Sequence, residues 1–395
     1  MNLRGGVKML KLKRLLVLGG SGLIGIEVVK DLITTSEFEE IIIADGNIKK
    51  VEDVVKEFND KRVRFVEIDV EDTGSLISLM KKCDLVSSCL PFKYDTYINQ
   101  CCVAAEVTGT DLGATSDQLM MHDLLLQKGL LFVVSDGITP GTSNMIAAYA
   151  NQKLDRLDEV HIGFASFRAL QTAPGLVRTT LWEIDPKETG RSYLEDGKVN
   201  YVEPFTGEKI INFPEPIGPQ PAYYVPHNEV YTIPRTMPTV KSCSVRGAWT
   251  PKTRRFLKFL YDYGLYTTEA LDFDGKKIPP MDFIEKFVFA NDDLKHEDVW
   301  GFSLTVDCKG IKDGKEVDLS FYTTTPSQEE WGVPAVYVKS TAISLSVGTQ
   351  LLAKGIDHCG IRTPDEVYDP KEYIGEIKKR GIVLHERNGL FGCPK

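Results

Sequence analysis

A glycine-rich turn near the start of the chain constrains the fold more than any other feature. Residues 14–45 read as an apolar strand, the turn GGSGLIG, an amphipathic helix and a second apolar strand that ends on Asp45. Gly20, Gly22 and Gly25 have the G-x-G-x-x-G spacing directly after the first strand, where bare backbone amides can approach a pyrophosphate. The strand, turn, helix and acid in this order predict a βαβ unit that binds a dinucleotide. The alternative is an ordinary βαβ unit with a tight turn.

The first helix and the acid after it indicate which dinucleotide is bound. The predicted helix opens at Leu23, so the free N–H groups of its first turn, including those of Leu23 and Ile24, are expected to hold the phosphates. Asp45 follows Gly25 by twenty residues, where a carboxylate accepts hydrogen bonds from the adenosine ribose. It would repel a 2′-phosphate, and no arginine follows closely, although two lysines do. The sequence therefore predicts NAD, with NADP less favoured.

Strand and helix patterns then alternate to about residue 150. Six strand patterns precede a polar turn at residues 135–144, which predicts a doubly wound parallel sheet with helices on both faces. Ligands of such sheets collect beyond the carboxyl ends of the strands, so residues there are assigned to the cofactor. They are Asp69 and Val70 for the adenine, Cys89, Leu90 and Pro91 for the nicotinamide end, and Asp111 after the fifth strand.

Past residue 155 the pattern changes. Residues 160–167 and 176–184 alternate like strands, and residues 203–238 are rich in proline and aromatic residues, which predicts irregular chain. Strands at 302–308 and 316–322 are expected to form a hairpin across an Asp-Gly turn. These patterns predict a substrate-binding domain with a mostly antiparallel sheet.

The predicted fold class is therefore α/β, a Rossmann-type doubly wound parallel sheet with an α+β, mostly antiparallel substrate domain. We expect a dinucleotide-binding domain over residues 1–150, a substrate-binding and catalytic domain over 151–336, and a C-terminal helical segment over 337–395 that returns to the first domain.

Composition argues against several classes of partner. The 47 basic and 56 acidic residues among 395 give a net charge of −9 with no basic tract, which argues against nucleic acid and anionic membranes. No apolar run approaches the roughly 20 residues that span a bilayer. The first residues lack a secretory signal pattern, so a cytoplasmic protein is expected. The eight cysteines form no C-x-x-C pair or zinc-like cluster, so no metal is predicted.

Five segments resemble the saccharopine dehydrogenase-like family, which includes lysine 6-dehydrogenases and saccharopine reductases. They are VLGGSGLIG at 17–25, SCLPF at 88–92, TDLGATSDQL at 110–119, SDGITPGTSN at 135–144, and the late pattern at 351–382. The resemblance implies an NAD(P)-dependent dehydrogenase that acts on the CH–NH bond of an amino acid such as lysine or saccharopine, and a homodimer. The sequence departs from the family at Ser135, which replaces an acid, while Asp136 is shifted by one place.

Oxidation of an amine requires a group that accepts the amine proton. Asp117 matches an acid found near the substrate in the family, although Ser116 or Asp117 is equally well explained as a helix N-cap. His227 is the next candidate for this base, and His161 is another. Each histidine also has a purely structural explanation.

A carboxylate on the substrate calls for arginine, whose planar fork binds it through two hydrogen bonds. Arg235 and Arg246 resemble arginines of lysine-dehydrogenase-like members, and Arg178 is a further candidate. The predicted substrate contacts are Phe92, Gly141, Asn144, Arg168, Arg235 and Arg246. We expect the substrate to lie between Phe92, Asp117 and the turn at residues 141–144 on one side and the arginines of the second domain on the other.

Two other functions compete with this interpretation. The glycine turn also fits the G-x-x-G-x-x-G of extended short-chain reductases, and Tyr149 with Lys153 gives their Y-x-x-x-K pair, with Ser135 upstream. Core packing and a favourable helix C-terminus explain this tyrosine and lysine equally simply. The remaining possibility is a non-catalytic NAD-binding sensor, from which turnover of an amino acid would distinguish an enzyme.

Overall fold

The chain folds into two units, each with its own main sheet. The computed structural model describes residues 12–172, 174–187, 190–290 and 300–387. The first unit combines the described residues up to Thr142 with Lys339–Ile377. The second unit combines Ser143–Val338 with the described residues from Lys378 onward.

The strands of the described residues are, in chain order, β1 (Arg14–Leu18), β2 (Glu40–Asp45), β3 (Val63–Glu67), β4 (Leu85–Ser88), β5 (Thr108–Thr110), β6 (Leu131–Val133), β7 (Arg156–Phe167), β8 (Ser192–Glu195), β9 (Lys198–Tyr201), β10 (Lys209–Asn212), β11 (Pro219–Tyr224), β12 (Ser242–Ala248), β13 (Leu271–Phe273), β14 (Lys276–Ile278), β15 (Gly301–Lys312), β16 (Lys315–Thr324), β17 (Gly360–Arg362) and β18 (Val383–Arg387).

The α-helices of the same residues are α1 (Leu23–Thr35), α2 (Ile48–Val55), α3 (Thr73–Met80), α4 (Asp95–Ala105), α5 (Ser116–Met120), α6 (His122–Lys128), α7 (Thr142–Asn151), α8 (Pro174–Trp182), α9 (Glu229–Thr236), α10 (Pro251–Asp262), α11 (Pro280–Ala290), α12 (Gln328–Trp331), α13 (Val336–Leu352), α14 (Pro364–Val367) and α15 (Pro370–Lys379). Short 3₁₀ turns occupy Lys56–Phe58, Phe92–Tyr94 and Leu170–Thr172.

The first unit contains the predicted doubly wound parallel sheet. Its strand order is β17-β6-β5-β4-β1-β2-β3, and every neighbouring pair is parallel. The side chains of β1 are buried from Leu15 to Leu18, as expected for a central strand covered on both faces. The predicted count of six strands was one short. The seventh strand, β17, has only three residues and comes from the C-terminal part of the chain, so no local pattern reveals it.

The second unit contains a nine-stranded sheet that is mostly antiparallel, as predicted. Along its main path the order is β10-β11-β12-β7-β15-β16-β18, and only β12 and β7 are parallel to each other. The predicted hairpin of β15 and β16 is confirmed. Its turn has Asp313 at φ +50° and Gly314 at φ +72°, the backbone conformation that lets a two-residue turn follow the twist of the strands.

Three secondary-structure predictions were wrong. Residues 176–182 lie in α8 rather than in a strand, and Val177 and Leu181 are buried four residues apart, as on one face of a helix. Residues 203–238 are not irregular throughout, since they include β10, β11 and α9. The predicted C-terminal helical segment also contains β17, which belongs to the first sheet, and β18, which belongs to the second.

Further properties concern the helices, metal-ligating groups and cysteines of the described residues. None of their helices is both long and apolar enough to cross a membrane. They contain no group of three metal-ligating side chains placed to hold an ion. Seven cysteines lie among them and carry free thiols, whereas Cys393 lies outside the described residues.

Candidate functional site

The glycine turn of the first unit is built by close contact between backbone atoms. Gly19 has φ +75°, a conformation that favours glycine, and its carbonyl accepts a hydrogen bond from the Gly22 N–H at 3.1 Å. A Cβ on Gly25 would lie 2.1 Å from the Gly19 oxygen, so only glycine lets α1 pack against the turn. Gly22 is the N-cap of α1 and has no side chain to satisfy the amides of Leu23 and Ile24. The turn therefore presents uncapped amides, which suit a phosphate.

Asp45 lies beside this turn at the end of β2. Its Oδ2 accepts the Ser21 N–H at 3.0 Å, and its Oδ1 accepts the Asn47 N–H at 2.9 Å. The Ser21 hydroxyl donates to the Asn47 carbonyl at 2.6 Å. These bonds hold the Asp45 carboxylate in a fixed position between the glycine turn and the following loop.

A cavity of about 420 Å³ opens at the carboxyl ends of these strands. It is lined by Leu18, Gly19, Ala44, Asp45, Gly46, Glu67, Ile68, Asp69, Val70 and Leu90. Four residues that the sequence assigns to the cofactor, Asp45, Asp69, Val70 and Leu90, thus share one cavity. Its position beyond the strand ends, beside an uncapped helix, fits the adenosine part of a dinucleotide.

The predicted nicotinamide wall adjoins the same turn. A Cβ on Gly19 would lie 3.1 Å from the Cys89 carbonyl carbon, and the Cys89 N–H donates to Leu18 O at 2.9 Å. Burial, with a smaller contribution from Asp45, raises the pKa of the Cys89 thiol to about 12, so this thiol is neutral. Pro91 precedes the 3₁₀ turn, and Phe92 is half exposed.

The other predicted residues of the first unit have different surroundings. Asp111 is fully buried and accepts a 2.6 Å bond from the Gln118 amide, and burial, with Asp95 adding to it, raises its pKa well above the ordinary value. Asp117 is exposed on α5. The cap of α5 is Thr115, in a capping box with Gln118, so the alternative that Ser116 or Asp117 caps this helix is wrong.

The turn that begins at Ser135 ends at Gly141, where a side chain would not fit. Gly141 has φ +124°, and a Cβ there would lie 2.3 Å from Gly137 O. Ser143 and Asn144 follow it on α7, and both are fully buried. The Asn144 amide donates to Thr232 Oγ1 at 3.0 Å, so it connects α7 to α9 within the second unit.

The second unit holds a buried pair of an acid and a histidine. The Ser143 hydroxyl donates to Glu229 Oε1 at 2.8 Å, and Glu229 Oε2 lies 3.3 Å from His227 Nδ1. The His227 ring stacks on Phe164 with 5.1 Å between the ring centres. Burial lowers the pKa of an imidazole, but the carboxylates of Glu229 and Glu183 outweigh burial, and the pKa of His227 is raised.

Glu183 and Arg168 bring further charge to this pair. Glu183 Oε2 accepts the Trp249 indole N–H at 3.2 Å. Burial raises the pKa of Glu183, although His227 and Arg168 oppose this effect, so its carboxyl lies within electrostatic reach of both cations. Arg168 follows β7 and Trp249 follows β12, and because these two strands are parallel, their carboxyl ends meet at one edge of the sheet.

Arg168 is the most informative of the predicted arginines. It donates to Thr180 Oγ1 at 2.9 Å and to Leu176 O at 3.4 Å, and its guanidinium lies 5.9 Å from the centre of the Tyr337 ring. Its Nε is enclosed without an acceptor, and among the described residues no carboxylate lies within ion-pair distance of it. A partly buried cation without a carboxylate in direct contact is costly, so the surroundings of Arg168 suit an anionic group of a ligand.

Two other predicted arginines already have partners within the protein. Arg246 stacks at 4.0 Å on the Tyr224 ring and donates to Ser244 Oγ and Gly207 O. Arg178 is exposed and pairs with Asp282 and Glu285.

Arg235 and His161 have other surroundings. Arg235 is exposed in the last turn of α9. His161 lies 2.9 Å from Ser244 Oγ and 3.2 Å from Glu159.

Sequence reasoning missed Glu183, Glu229 and Trp249. The only local signal was the spacing of His227 and Glu229, which lie two residues apart just before and at the start of a helix. Nothing in the sequence links either of them to Ser143 or Glu183, because these residues lie far apart in the chain and the Ser143–Glu229 bond joins α7 to α9.

The sheet order, the glycine turn and the acid at the end of β2 define a Rossmann-type dinucleotide-binding protein. The family described as saccharopine dehydrogenase NADP binding domain matches residues 15–133, and that described as saccharopine dehydrogenase C-terminal domain matches residues 137–382. The chain belongs to the saccharopine dehydrogenase family and is an NAD(P)-binding oxidoreductase. The resemblance noted in the sequence is confirmed.

The individual relatives share low sequence identity with this chain. Carboxyaminopropylagmatine dehydrogenase of Synechocystis sp. is 23% identical over 396 residues, covering 94% of this chain and 97% of that protein. Carboxynorspermidine synthase of Vibrio cholerae is 22% identical over 275 residues, 62% of this chain and 65% of that protein. Apo saccharopine dehydrogenase (L-Glu forming) from Saccharomyces cerevisiae has a TM-score of 0.68 at 15% identity, covering 95% of this chain and 99% of that one, so the two share the fold.

Proposed function

We propose that this protein transfers hydride between NAD(H) and the CH–NH bond of a substrate that carries a carboxylate. The predicted substrates, lysine and saccharopine, fit this class. So do the carboxylated amines named in carboxyaminopropylagmatine dehydrogenase and carboxynorspermidine synthase. The observation that carries the proposal is Arg168, a partly buried guanidinium for which the described residues offer no carboxylate within ion-pair distance.

In this proposal Arg168 binds the substrate carboxylate. A guanidinium binds a carboxylate through two parallel N–H donors, and its Nε, which has no acceptor, would supply one of them. This contact exists in both the ground state and the transition state, so it serves mainly binding.

His227 is the proposed acid–base group. Its raised pKa, caused by Glu229 and Glu183, increases the protonated fraction near neutral pH. A protonated imidazole gives its proton to the nitrogen of a neutral imine, which yields the iminium that accepts hydride; in the oxidative direction the neutral imidazole takes that proton back. Reduction should therefore slow as the pH rises through the pKa of His227, and oxidation should accelerate. Asp117 remains a proposed alternative for this role, although its exposure on α5 favours it less.

The cofactor proposal is NAD rather than NADP. The residues present fit a nicotinamide dinucleotide, because the turn at Gly22 and Gly25 leaves amides for the phosphates and Asp45 lies in the adjoining cavity. When bound, the nicotinamide supplies or accepts the hydride. Asp45 would accept the ribose 2′-hydroxyl and repel a 2′-phosphate.

A substrate screen tests the function directly. Oxidation would be followed as NADH formation with lysine, saccharopine and carboxylated polyamines, and reduction as NADH loss with 2-oxo acids or aldehydes mixed with amines. The matched control for each substrate is the same amine without its carboxylate. We expect turnover only when the carboxylate is present. Equal turnover of the decarboxylated analogues would contradict the proposal, and cofactor binding without any turnover would favour a sensor.

A further inference from the structure

Glu229 is a carboxylate in a buried place, where ionisation costs free energy. Its side chain is fully buried, and its two oxygens face the Ser143 hydroxyl at 2.8 Å and His227 Nδ1 at 3.3 Å. Burial raises the pKa of a carboxyl, yet His227 and the Ser143 hydrogen bond reverse this effect and lower the pKa of Glu229. An ionised acid in such a place is maintained by its partners.

Contacts on two sides restrict the orientation of the His227 ring. Phe164 covers one face of the ring at 27° between the ring planes, and Glu229 faces the Nδ1 edge. The second nitrogen, Nε2, lies on the opposite edge of the imidazole. A carboxylate at Nδ1 favours the tautomer with its proton there, which leaves Nε2 to exchange a proton with a bound molecule.

We infer that Glu229 and Ser143 are positioning residues for His227: Glu229 fixes the tautomer and orientation of the imidazole, and Ser143 fixes Glu229. In the reductive direction the Nε2–H bond breaks and an N–H bond forms on the substrate imine, while the Nδ1 proton stays with His227 and faces Glu229. The inference rests on the proposed role of His227, because it concerns how that residue is prepared for proton transfer.

Among the described residues, Glu229 and Glu183 are the charged groups that act on the pKa of His227. Glu229 faces it from α9, and Glu183 lies at the end of α8 with Arg168 beyond it. The Cys243 thiol of β12 donates to the Glu229 backbone carbonyl at 3.7 Å, and burial raises its pKa well above the ordinary value, so it is neutral. The two carboxylates therefore control the titration of His227.

The test uses two substitutions whose expected effects have opposite signs. Glu229→Gln removes the negative charge and should lower the pKa of His227 by about one unit. Ser143→Ala removes the donor that partly neutralises the Glu229 charge, so the pKa of His227 should rise by a few tenths of a unit. Both are measured by NMR titration of the His227 ring signal, assigned by its disappearance in His227→Asn. Loss of packing alone would not move the pKa in opposite directions.

A second measurement connects this pair to turnover. The pH at which the reductive rate falls should shift with the pKa of His227 in each variant, and kcat should fall more than KM rises. Glu159→Gln is the matched control, because Glu159 lies 3.2 Å from another histidine, His161, in the same unit. It should leave the pH profile of the reaction unchanged.

The outcomes separate the two claims. An unchanged pKa of His227 in folded Glu229→Gln overturns the positioning role, as does a shifted pKa with an unshifted pH profile. If Glu229→Gln does not fold, a pKa of His227 that fails to rise in Ser143→Ala overturns it as well. Absence of turnover in the unmodified protein with every amine would instead refute the proposed function, whatever the titration shows.

Discussion

Both units bury carboxyl groups, but in opposite electrostatic surroundings. In the first unit, Asp136 Oδ2 accepts bonds from the Thr110 hydroxyl at 2.9 Å and the Tyr368 hydroxyl at 3.0 Å, and burial raises its pKa to about 7. In the second unit, Glu229 faces His227, and its pKa is lowered. The comparison shows that burial alone does not decide the charge of an acid. The neutral hydroxyl donors of Asp136 do not offset burial, so its protonated form is favoured. The charge of His227 does offset burial at Glu229, so the ionised form of Glu229 is favoured.

The two units also differ in how their candidate sites are built. The glycine turn uses backbone atoms that are close in sequence, so its geometry follows from local spacing. The site around His227 uses side chains brought by three helices and two strands. The first kind of site fails when a backbone contact is blocked, and the second fails when a charge is removed.

Blocking the glycine turn should have the largest effect on ligand binding. Gly25→Ala places a Cβ 2.1 Å from the Gly19 carbonyl oxygen, so α1 must move away from the turn. We expect cofactor affinity to fall about 100-fold or more, which corresponds to about 2.7 kcal/mol, measured by calorimetric titration. Gly375→Ala is the control in the same unit, since a Cβ at this position meets no atom within 4 Å. Unchanged affinity in Gly25→Ala would show that the turn does not hold the phosphates.

The neutral acid of the first unit should make stability depend on pH. The pKa of Asp136 is raised from 3.8 to about 7, so its protonated form contributes stability below pH 4 that is lost as the pH rises to about 7. Asp136→Asn should remove about 2–4 kcal/mol of this decline in the free energy of unfolding, measured by urea titration between pH 4 and 8.

A control of opposite sign is available in the same unit. The pKa of Asp84 is lowered, because its bonds to Arg14 outweigh the effect of burial. Its contribution to stability is present above the ordinary pKa of 3.8 and is lost as the pH falls below that value. Asp84→Asn should therefore change stability in the direction opposite to Asp136→Asn when the pH is raised. A parallel response of both variants would contradict the contrast between the two acids.

Removing the cation from the second site should impair substrate binding. Arg168→Met should raise KM about 10- to 100-fold with a smaller change in kcat, as expected for a hydrogen bond to a charged group. Arg178→Met is the matched control, because Arg178 is exposed and already paired with Asp282 and Glu285. An unchanged KM in Arg168→Met would move the carboxylate site to another arginine, such as Arg235 or Arg246.

The choice of cofactor should depend on Asp45. Asp45→Asn removes the charge that opposes a 2′-phosphate, so the preference for NAD over NADP should fall about tenfold, or about 1.4 kcal/mol. Glu67→Gln changes another carboxylate that lines the same cavity and should leave the ratio of dissociation constants unchanged. Comparable saturation of the unmodified protein by both cofactors would refute the NAD proposal.

The smallest effect is expected at Tyr149. Its ring packs edge-on against Phe321 at 5.9 Å, and the Lys153 ammonium lies 5.0 Å from the ring centre rather than at the hydroxyl. Tyr149→Phe keeps these contacts, so turnover should stay within about twofold. A loss of about 100-fold or more would support the short-chain reductase mechanism, in which the tyrosine is the acid.

Local sequence determined the cofactor half of this protein. The glycine spacing, the strand patterns and Asp45 predict the parallel sheet and the residues at its edge, because each depends on neighbours within about one βαβ unit. The resemblance to the family came from such local segments as well. The strand β17 was not predicted, because its three residues have no strand pattern of their own. They form a strand only by pairing with β6.

Only the tertiary structure decided the second site. Residue types alone left four arginines and two histidines as candidates, and the fold distinguished them by burial and by partners. Arg178 pairs with acids, and Arg246 stacks on an aromatic ring. Arg168 has no carboxylate within ion-pair distance among the described residues. Ser143, His227 and Glu229 became one group because α7 and α9 pack together. Charge and protonation depend on what surrounds a side chain in space, and the sequence does not state those distances.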